Sequence, residues 1–301
     1  MMNKNIIRTL SCGRTLLNEK KPAFNLPFVK TISEATKSPI RESIPIKRPI
    51  GLPEPTIINK HAGSLSMGNL FKEIFSSEGR DKRRESLNYD LKHSILYESK
   101  SFLNTKGKIF TPPISYFKKE KSRYFANFKG HRLIEPDINF YDLLKGKVNV
   151  VRVYSKQSAF DCVKSYFEID GKDLAGKDYN EFLTKFNRSQ IIDINLPYRW
   201  YEGYFLNQSK KSILKRLPKE RYGNYFILPL QELPYKVREE LMCDNMCAGY
   251  IYVIDEDGKI RWCTSGKAND EELEFLWMCL ERLEKELDIE EVDQVKTDKV
   301  E

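Results

Sequence analysis

The clearest order in this chain is the sequence of apolar and polar positions between residues 243 and 287. Tyr250 to Ile254 is an unbroken run of β-branched and aromatic residues, the length of a central strand buried on both faces. Asp255-Glu256-Asp257-Gly258 is a tight-turn sequence in which Gly258 can take positive φ. Ile260 to Thr264 then alternates, as a strand with one packed face and one wetter face does. Asn269 is placed to cap a helix, with Glu272 completing a capping box. Leu273, Leu276, Leu280, Leu283 and Leu287 follow at 3-4-3-4 spacing and form one apolar stripe on that helix.

Upstream, the same reading predicts a strand over Val148 to Tyr154 and a helix over Ser158 to Phe167, with Phe160, Val163 and Phe167 on one face. A short inserted helix follows over Asp178 to Phe186. Next come a strand over Gln190 to Leu196, stopped by Pro197, and a helix over Arg199 to Leu217. Residues 218–248 read as a Pro-punctuated insertion. With the inserts set aside the order is β-α-β-α-β-β-α, that of a thioredoxin-like α/β domain, assigned to residues 133–287. Residues 65–93 look helical, within a basic, aromatic segment spanning 64–132 that Pro112-Pro113 interrupts. Residues 19–63 carry recurrent prolines and read as an extended linker, so 1–63 is a leader plus linker. The fold expectation is thus an α/β domain with a basic, partly helical N-terminal extension and an acidic tail, 288–301.

Charge sharpens that division. Residues 1–63 carry 11 basic and 4 acidic side chains, and residues 64–132 carry 15 and 7. Residues 133–287 carry 23 and 26, and the tail carries 2 and 6. A basic front half before a near-neutral body points to an acidic partner: anionic lipid, nucleic acid or an acidic protein face. Residues 1–18 hold Lys4, Arg8 and Arg14 with no acid before Glu19, and Ile6, Ile7 and Leu10 can share a helical face. That is the pattern of a mitochondrial import leader rather than a secretory signal. No run approaches the roughly eighteen apolar residues of a membrane-spanning helix. Six scattered cysteines do not form the framework of a small secreted domain and suit a reducing compartment.

Two stretches could carry chemistry. Cys243-Asp244-Asn245-Met246-Cys247 is a C-x-x-x-C pair, a candidate structural or redox pair able in principle to form a disulfide, bind a soft metal or exchange thiols. Copper-delivery proteins on thioredoxin-like folds use this spacing together with a histidine, but after the first strand. Here that place holds Ser155-Lys156-Gln157-Ser158, and no histidine occurs in residues 133–301. The second stretch interleaves rings and cations: Tyr116, Phe117, Lys118, Lys119, Lys121, Arg123, Tyr124 and Phe125. It could stack on unpaired bases, lie on an anionic membrane, or pack on the protein's own core. The acidic turn at 255–257 lacks the rest of a calcium loop. No Walker-type loop or G-x-G-x-x-G is present. No enzyme activity, cofactor or metal is assigned.

The phrases YESKSFLNTKGKIFTPPISYFKKEKS, NFKG, NVVRVYS, QIIDINLP and VREELMCDNMCAGYIYVIDEDGKIRWCTSG occur in this order. Together they resemble the mitochondrial F-type ATP synthase assembly-factor family, the "ATP ten" assembly proteins. The likeness covers residues 64–283 or so. It implies a thioredoxin-like fold and a peripheral place on the matrix side of the inner membrane. It also implies a chaperone's role: holding newly made Fo subunit a (subunit 6) and helping it join the c ring. The family's C-D-N-x-C phrase falls on Cys243, Asp244, Asn245 and Cys247 without settling their role. The alternative is a thiol-disulfide or copper-handling protein centred on Cys243 and Cys247. RNA binding through residues 116–132 is the least favoured class.

Overall fold

Strands that are apolar on both faces need a cover on both faces, and that requirement organises this protein. The structure, a computed structural model, describes residues 37–58, 84, 87–134, 137–197, 210 and 213–297. The leader read over 1–18 lies outside these residues, as do most of the helix read over 65–93 and much of the one read over 199–217; residues 87–92 and 213–216 are helical.

In chain order the elements are β1 (Ile44–Pro45), α1 (Ile95–Asn104), β2 (Phe110–Thr111), β3 (Lys129–Arg132), β4 (Ile138–Asn139) and β5 (Val148–Tyr154). Then come α2 (Gln157–Lys164), β6 (Glu168–Ile169), β7 (Lys172–Asp173), α3 (Tyr179–Lys185), β8 (Ser189–Asn195) and β9 (Tyr225–Ile227). The chain continues with α4 (Tyr235–Glu240), β10 (Tyr250–Ile254), β11 (Ile260–Ser265) and α5 (Asp270–Thr297). The main sheet has seven strands in the order β11-β10-β5-β8-β9-β3-β4. β5 pairs parallel with β8, and β10 pairs antiparallel with both β5 and β11. These four strands with α2 and α5 are the thioredoxin-like α/β core; β9, β3 and β4 widen it.

All seven residues of β5 and all seven of β8 are buried. On one face Val150, Ile191, Ile251 and Val253 pack against Ala159 and Val163 of α2 and Leu276, Leu280 and Leu283 of α5. The other face is covered by the aromatic segment ahead of β5: Phe110, Phe125, Phe128 and Phe140 pack on Val151, Ile192, Ile194 and Tyr252. The rings interlock, with Phe128 stacked on Phe140 at 4.7 Å and edge-on to Phe226 at 5.7 Å. Each such phenylalanine is worth roughly 3–5 kcal/mol against truncation to alanine.

Several local expectations change in the structure. α2 ends at Lys164 rather than Phe167, because the Ser165 hydroxyl donates to the Cys162 carbonyl at 2.6 Å and accepts from the Ala268 amide at 2.9 Å. The second strand lies one residue earlier than read. The insertion 218–248 contains β9, which is three residues long and pairs with β8 and β3. Asn269 does cap α5, accepting from the Glu272 amide at 2.8 Å. The Glu272 carboxylate does not complete a capping box; it is buried and takes bonds from Lys108 Nζ at 2.6 Å and from the Tyr166 hydroxyl. Helix α5 does not stop at Leu287. Arg188 reaches Asp288 and Glu291, and Lys119 reaches Glu290, so ion pairs carry the helix into the acidic tail.

In the middle of the sheet lies a buried charge triad. Arg152 of β5 grips Asp193 of β8 through two bonds of 2.7 and 2.9 Å, and Arg221 donates to the same carboxylate at 2.6 Å. Phe167 and Tyr179 lie over the two guanidiniums at 5.4 Å each. Burial alone pushes Asp193 toward protonation; the two guanidiniums outweigh it and hold the carboxyl below its ordinary range. Replacing Asp193 with alanine strands two buried cations, which costs about 3–5 kcal/mol or abolishes folding. Lys172→Ala, which breaks the exposed pair with Glu181, should leave stability unchanged. Urea denaturation of both variants checks this, and an Asp193→Ala midpoint equal to wild type would contradict it.

Candidate functional site

The C-x-x-x-C segment is a loop tied at both ends. α4 closes with Met242 at φ 54°, and the Cys243 amide donates to the Arg238 carbonyl at 2.8 Å. Asn245 then knots the loop. Its Oδ1 accepts from the Cys247 amide at 3.0 Å, and its Nδ2 donates to the Glu98 carbonyl of α1 at 2.9 Å. Its backbone amide and carbonyl both bond the Tyr250 hydroxyl. Gly249 lets the loop meet α2: a Cβ there would sit 2.2 Å from the Ala159 carbonyl oxygen.

The two thiols are free and have different surroundings. Cys243 is a core residue whose thiol burial pushes up to about 12. Cys247 lies at the start of α2, with its Sγ 3.5 Å from Lys156 Nζ and its carbonyl accepting from the Ser158 hydroxyl at 2.9 Å. The turn after the first core strand and the loop before the third are thus one place in the fold. Burial also raises Cys162, Cys263 and Cys279, the last to about 12. Deeply buried thiols of this kind are poor nucleophiles at neutral pH.

The N-terminal segment roofs this place. Glu98 of α1 is 4% exposed, with Oε2 unpartnered, and the carboxyl interacts with Lys156 and the Met246 amide. Burial is the main cause that raises it to about 7. His93 brings the histidine that residues 133–301 lack: its Nε2 is 3.6 Å from Asp244 Oδ2, beyond hydrogen-bond range, and burial lowers its pKa. Its ring stacks on Tyr89 at 4.0 Å, and Arg238 lies over that tyrosine at 5.3 Å. Sequence reading gave His93 and Glu98 no role and took Lys156 and Ser158 only as part of the thiol-free turn after the first strand. The signal available was a carboxylate, Glu98, on a helix position that packs inward.

The ring-and-cation strip lies along the β10–β11 hairpin. The Phe117 amide donates to the Arg261 carbonyl at 2.7 Å, and Arg261 Nε donates to the Phe117 carbonyl at 2.8 Å. Arg261 sits over the Tyr116 ring at 5.7 Å and Lys259 over Tyr124 at 5.5 Å. Lys119 is held between Asp257 at 3.1 Å and Glu290 at 2.7 Å, and Arg123 reaches Glu240 at 3.4 Å. Phe125 is core. Lys118, Lys121 and Arg123 present exposed cations.

The sequence profile of the family described as "ATP10 protein" matches residues 30–283. The chain is 32% identical over 241 residues to the "Mitochondrial ATPase complex subunit ATP10" of Eremothecium gossypii, covering 80% of this chain and 85% of that protein. It is 33% identical over 263 residues to the protein of the same name from Saccharomyces cerevisiae, covering 83% and 90%. Among solved structures it is similar to a DsbF homologue from Corynebacterium diphtheriae, with 11% identity, TM-score 0.34, and coverage of 52% of this chain and 87% of that one.

Glu98 makes the stability of this place pH-dependent. Its pKa is raised in the folded state, so the fold gains from protonation at low pH and loses that gain as pH rises from about 4.5 to about 7. Glu98→Gln removes the loss. The variant should be more stable than wild type at pH 8, by on the order of 3 kcal/mol, with the difference shrinking as pH falls and closing below about pH 4.5. Thermal denaturation across that range checks it, and parallel curves for the two proteins would refute it.

Proposed function

We propose that this chain, which belongs to the ATP10 protein family, is an assembly factor of the mitochondrial ATP synthase. In this reading it is a chaperone that binds newly made Fo subunit a (subunit 6) and promotes its association with the c ring. It works peripherally on the matrix side of the inner membrane, and residues 1–18 act as its import leader. The observation that carries the reading is the extent of the family match. Residues 30–283 run from the aromatic layer through the whole sheet and into the first half of α5, so the match takes in every strand rather than a motif. Attachment is to a surface; among the described residues no helix is long and apolar enough to cross a membrane.

The role is non-catalytic. Four of the five described thiols are pushed up by burial, and the turn over residues 155–158 holds none. One geometry favours a second reading: Cys247 beside Lys156 at the start of α2 is where a thiol-handling or copper-handling protein on this fold would place its sulfur.

Deletion should leave the soluble catalytic head of the synthase assembled and subunit a translated. Subunit a should then fail to join the c ring and be degraded, since its polar groups in the bilayer lack partners. Pulse labelling of mitochondrial translation products followed by native gels separates these steps. Loss of subunit a synthesis would instead mean action on expression, and normal assembly would sink the chaperone reading.

Cys243→Ser combined with Cys247→Ser, at matched protein level, should keep assembly activity. A stable, abundant double variant without activity would overturn the non-catalytic role and favour the thiol reading.

A further inference from the structure

Helix α1 is amphipathic in the reverse sense for a protein surface. Its inward face carries Tyr97, Glu98 and Ser101, all buried, with the Ser101 hydroxyl accepting from the Ile40 amide at 3.0 Å. Its outward face carries Ile95, Leu96 and Leu103, exposed by 50, 60 and 72%. At 3.6 residues per turn these three fall on one arc, with Ser99 between them and Lys100 at its edge. The helical residues just ahead add Leu87 and Leu91. Five of the eleven exposed large aliphatic residues of the described chain therefore come from one stretch of seventeen residues, 87–103, so their exposure is concentrated rather than scattered.

The chemistry of this face selects its occupant. Within residues 37–42 and 87–106 the exposed charges are Lys37, Lys92, Lys100 and Lys106 against Asp90, with Arg41 and Glu42 cancelling. Lys37 belongs to the set because its amide donates to the Lys92 carbonyl at 3.0 Å. A second copy of the chain would oppose like charge to like charge. A folded protein partner is gripped mainly through tyrosine, tryptophan and arginine, and lysine is depleted at such interfaces. Here both tyrosines of the stretch, Tyr89 and Tyr97, are buried inward, and the outward set is leucine, isoleucine and lysine. Aliphatic side chains with lysines around them suit a fluid, anionic partner that demands no shape complementarity. The apolar groups enter the acyl boundary while the lysine stems lie along it and hold their ammonium groups at the headgroups.

We propose that the outward face of α1, extended by Leu87 and Leu91, is the surface by which this protein sits on an anionic lipid bilayer. This rests on the peripheral-membrane reading above and assigns the contact to α1 rather than to Lys118, Lys121 and Arg123. It also accounts for the inverted helix, because a polar inner face ties α1 to the loop at Asn245 while its apolar side remains for the membrane.

The test is vesicle flotation of the full chain. Wild type should float with vesicles of equimolar phosphatidylcholine and phosphatidylglycerol, float less with phosphatidylcholine alone, and be released in part by salt. Leu96→Glu with Leu103→Glu should lower the bound fraction at least about ten-fold, and Leu96→Ser with Leu103→Ser should do so without adding charge. Lys118→Ala with Lys121→Ala should bind as wild type does. All these positions are exposed, so thermal denaturation should match wild type. If the leucine variants float like wild type, the lipid contact lies elsewhere and the assignment falls while peripheral attachment stands. If wild type floats with neither vesicle yet pellets with mitochondrial membranes, a protein holds it there and the proposal is wrong. If it does neither, the peripheral reading falls too.

Discussion

A carboxylate shared by two guanidiniums, sealed inside the sheet, is the constraint the rest of this structure serves. Asp193 has no water to turn to, so Arg152 and Arg221 must both reach it. That fixes β5 against β8 in one register, because a slip of one residue moves Arg152 and Asp193 out of reach. It also fixes the segment after the second core strand, since Arg221 comes from residues 219–224 and bonds the Ala175 and Ile191 carbonyls as well. The insertions at 168–185 and 218–228 are thus built around a charge that hydrophobic packing alone could not tolerate. Such a triad adds little net stability compared with an apolar equivalent, but it leaves few alternative arrangements.

With the strands locked, both sheet faces must be dry, and the two covers come from segments on either side of β5 in the chain. Helices α2 and α5 supply one, and the aromatic segment ahead of β5 supplies the other. The same segment also roofs the Cys243–Cys247 loop through α1. The candidate site is therefore composite, drawing Glu98 and His93 from one region, Lys156 and Ser158 from a second, and Asp244 to Cys247 from a third. No local spacing in the sequence joins them, since the contact between Lys156 and Cys247 spans 91 positions.

That explains which features could be read from the chain. The hairpin at 250–265 and the leucine stripe of α5 have regular periods set by local geometry, and so do β5 and β8, which are long and continuously apolar. The covering layer has no period. Phe110, Phe125, Phe128 and Phe140 are spaced by loops, and only Phe125 falls in the ring-and-cation strip, for which packing on the core was one of three readings. β9 is too short to show alternation. Glu272 looked like a capping residue because the cap signal is local, whereas its partners Lys108 and Tyr166 lie 164 and 106 positions away. Charge composition marked 288–301 as a tail; the cations that fold it into α5, Arg188 and Lys119, lie far upstream.

The origin of the covering layer has a consequence for how the chain acquires its structure. Synthesis proceeds from the N-terminus, so Phe110, Phe125 and Phe128 are made before any strand they cover. β10, which carries Tyr252 against Phe125, follows more than a hundred residues later. The contacts that seat these rings on β5, β8 and β10 are non-local, which makes for slow folding and a long interval of exposed rings. A protein read here as the keeper of another hydrophobic chain is, during its own birth, a client of the same kind.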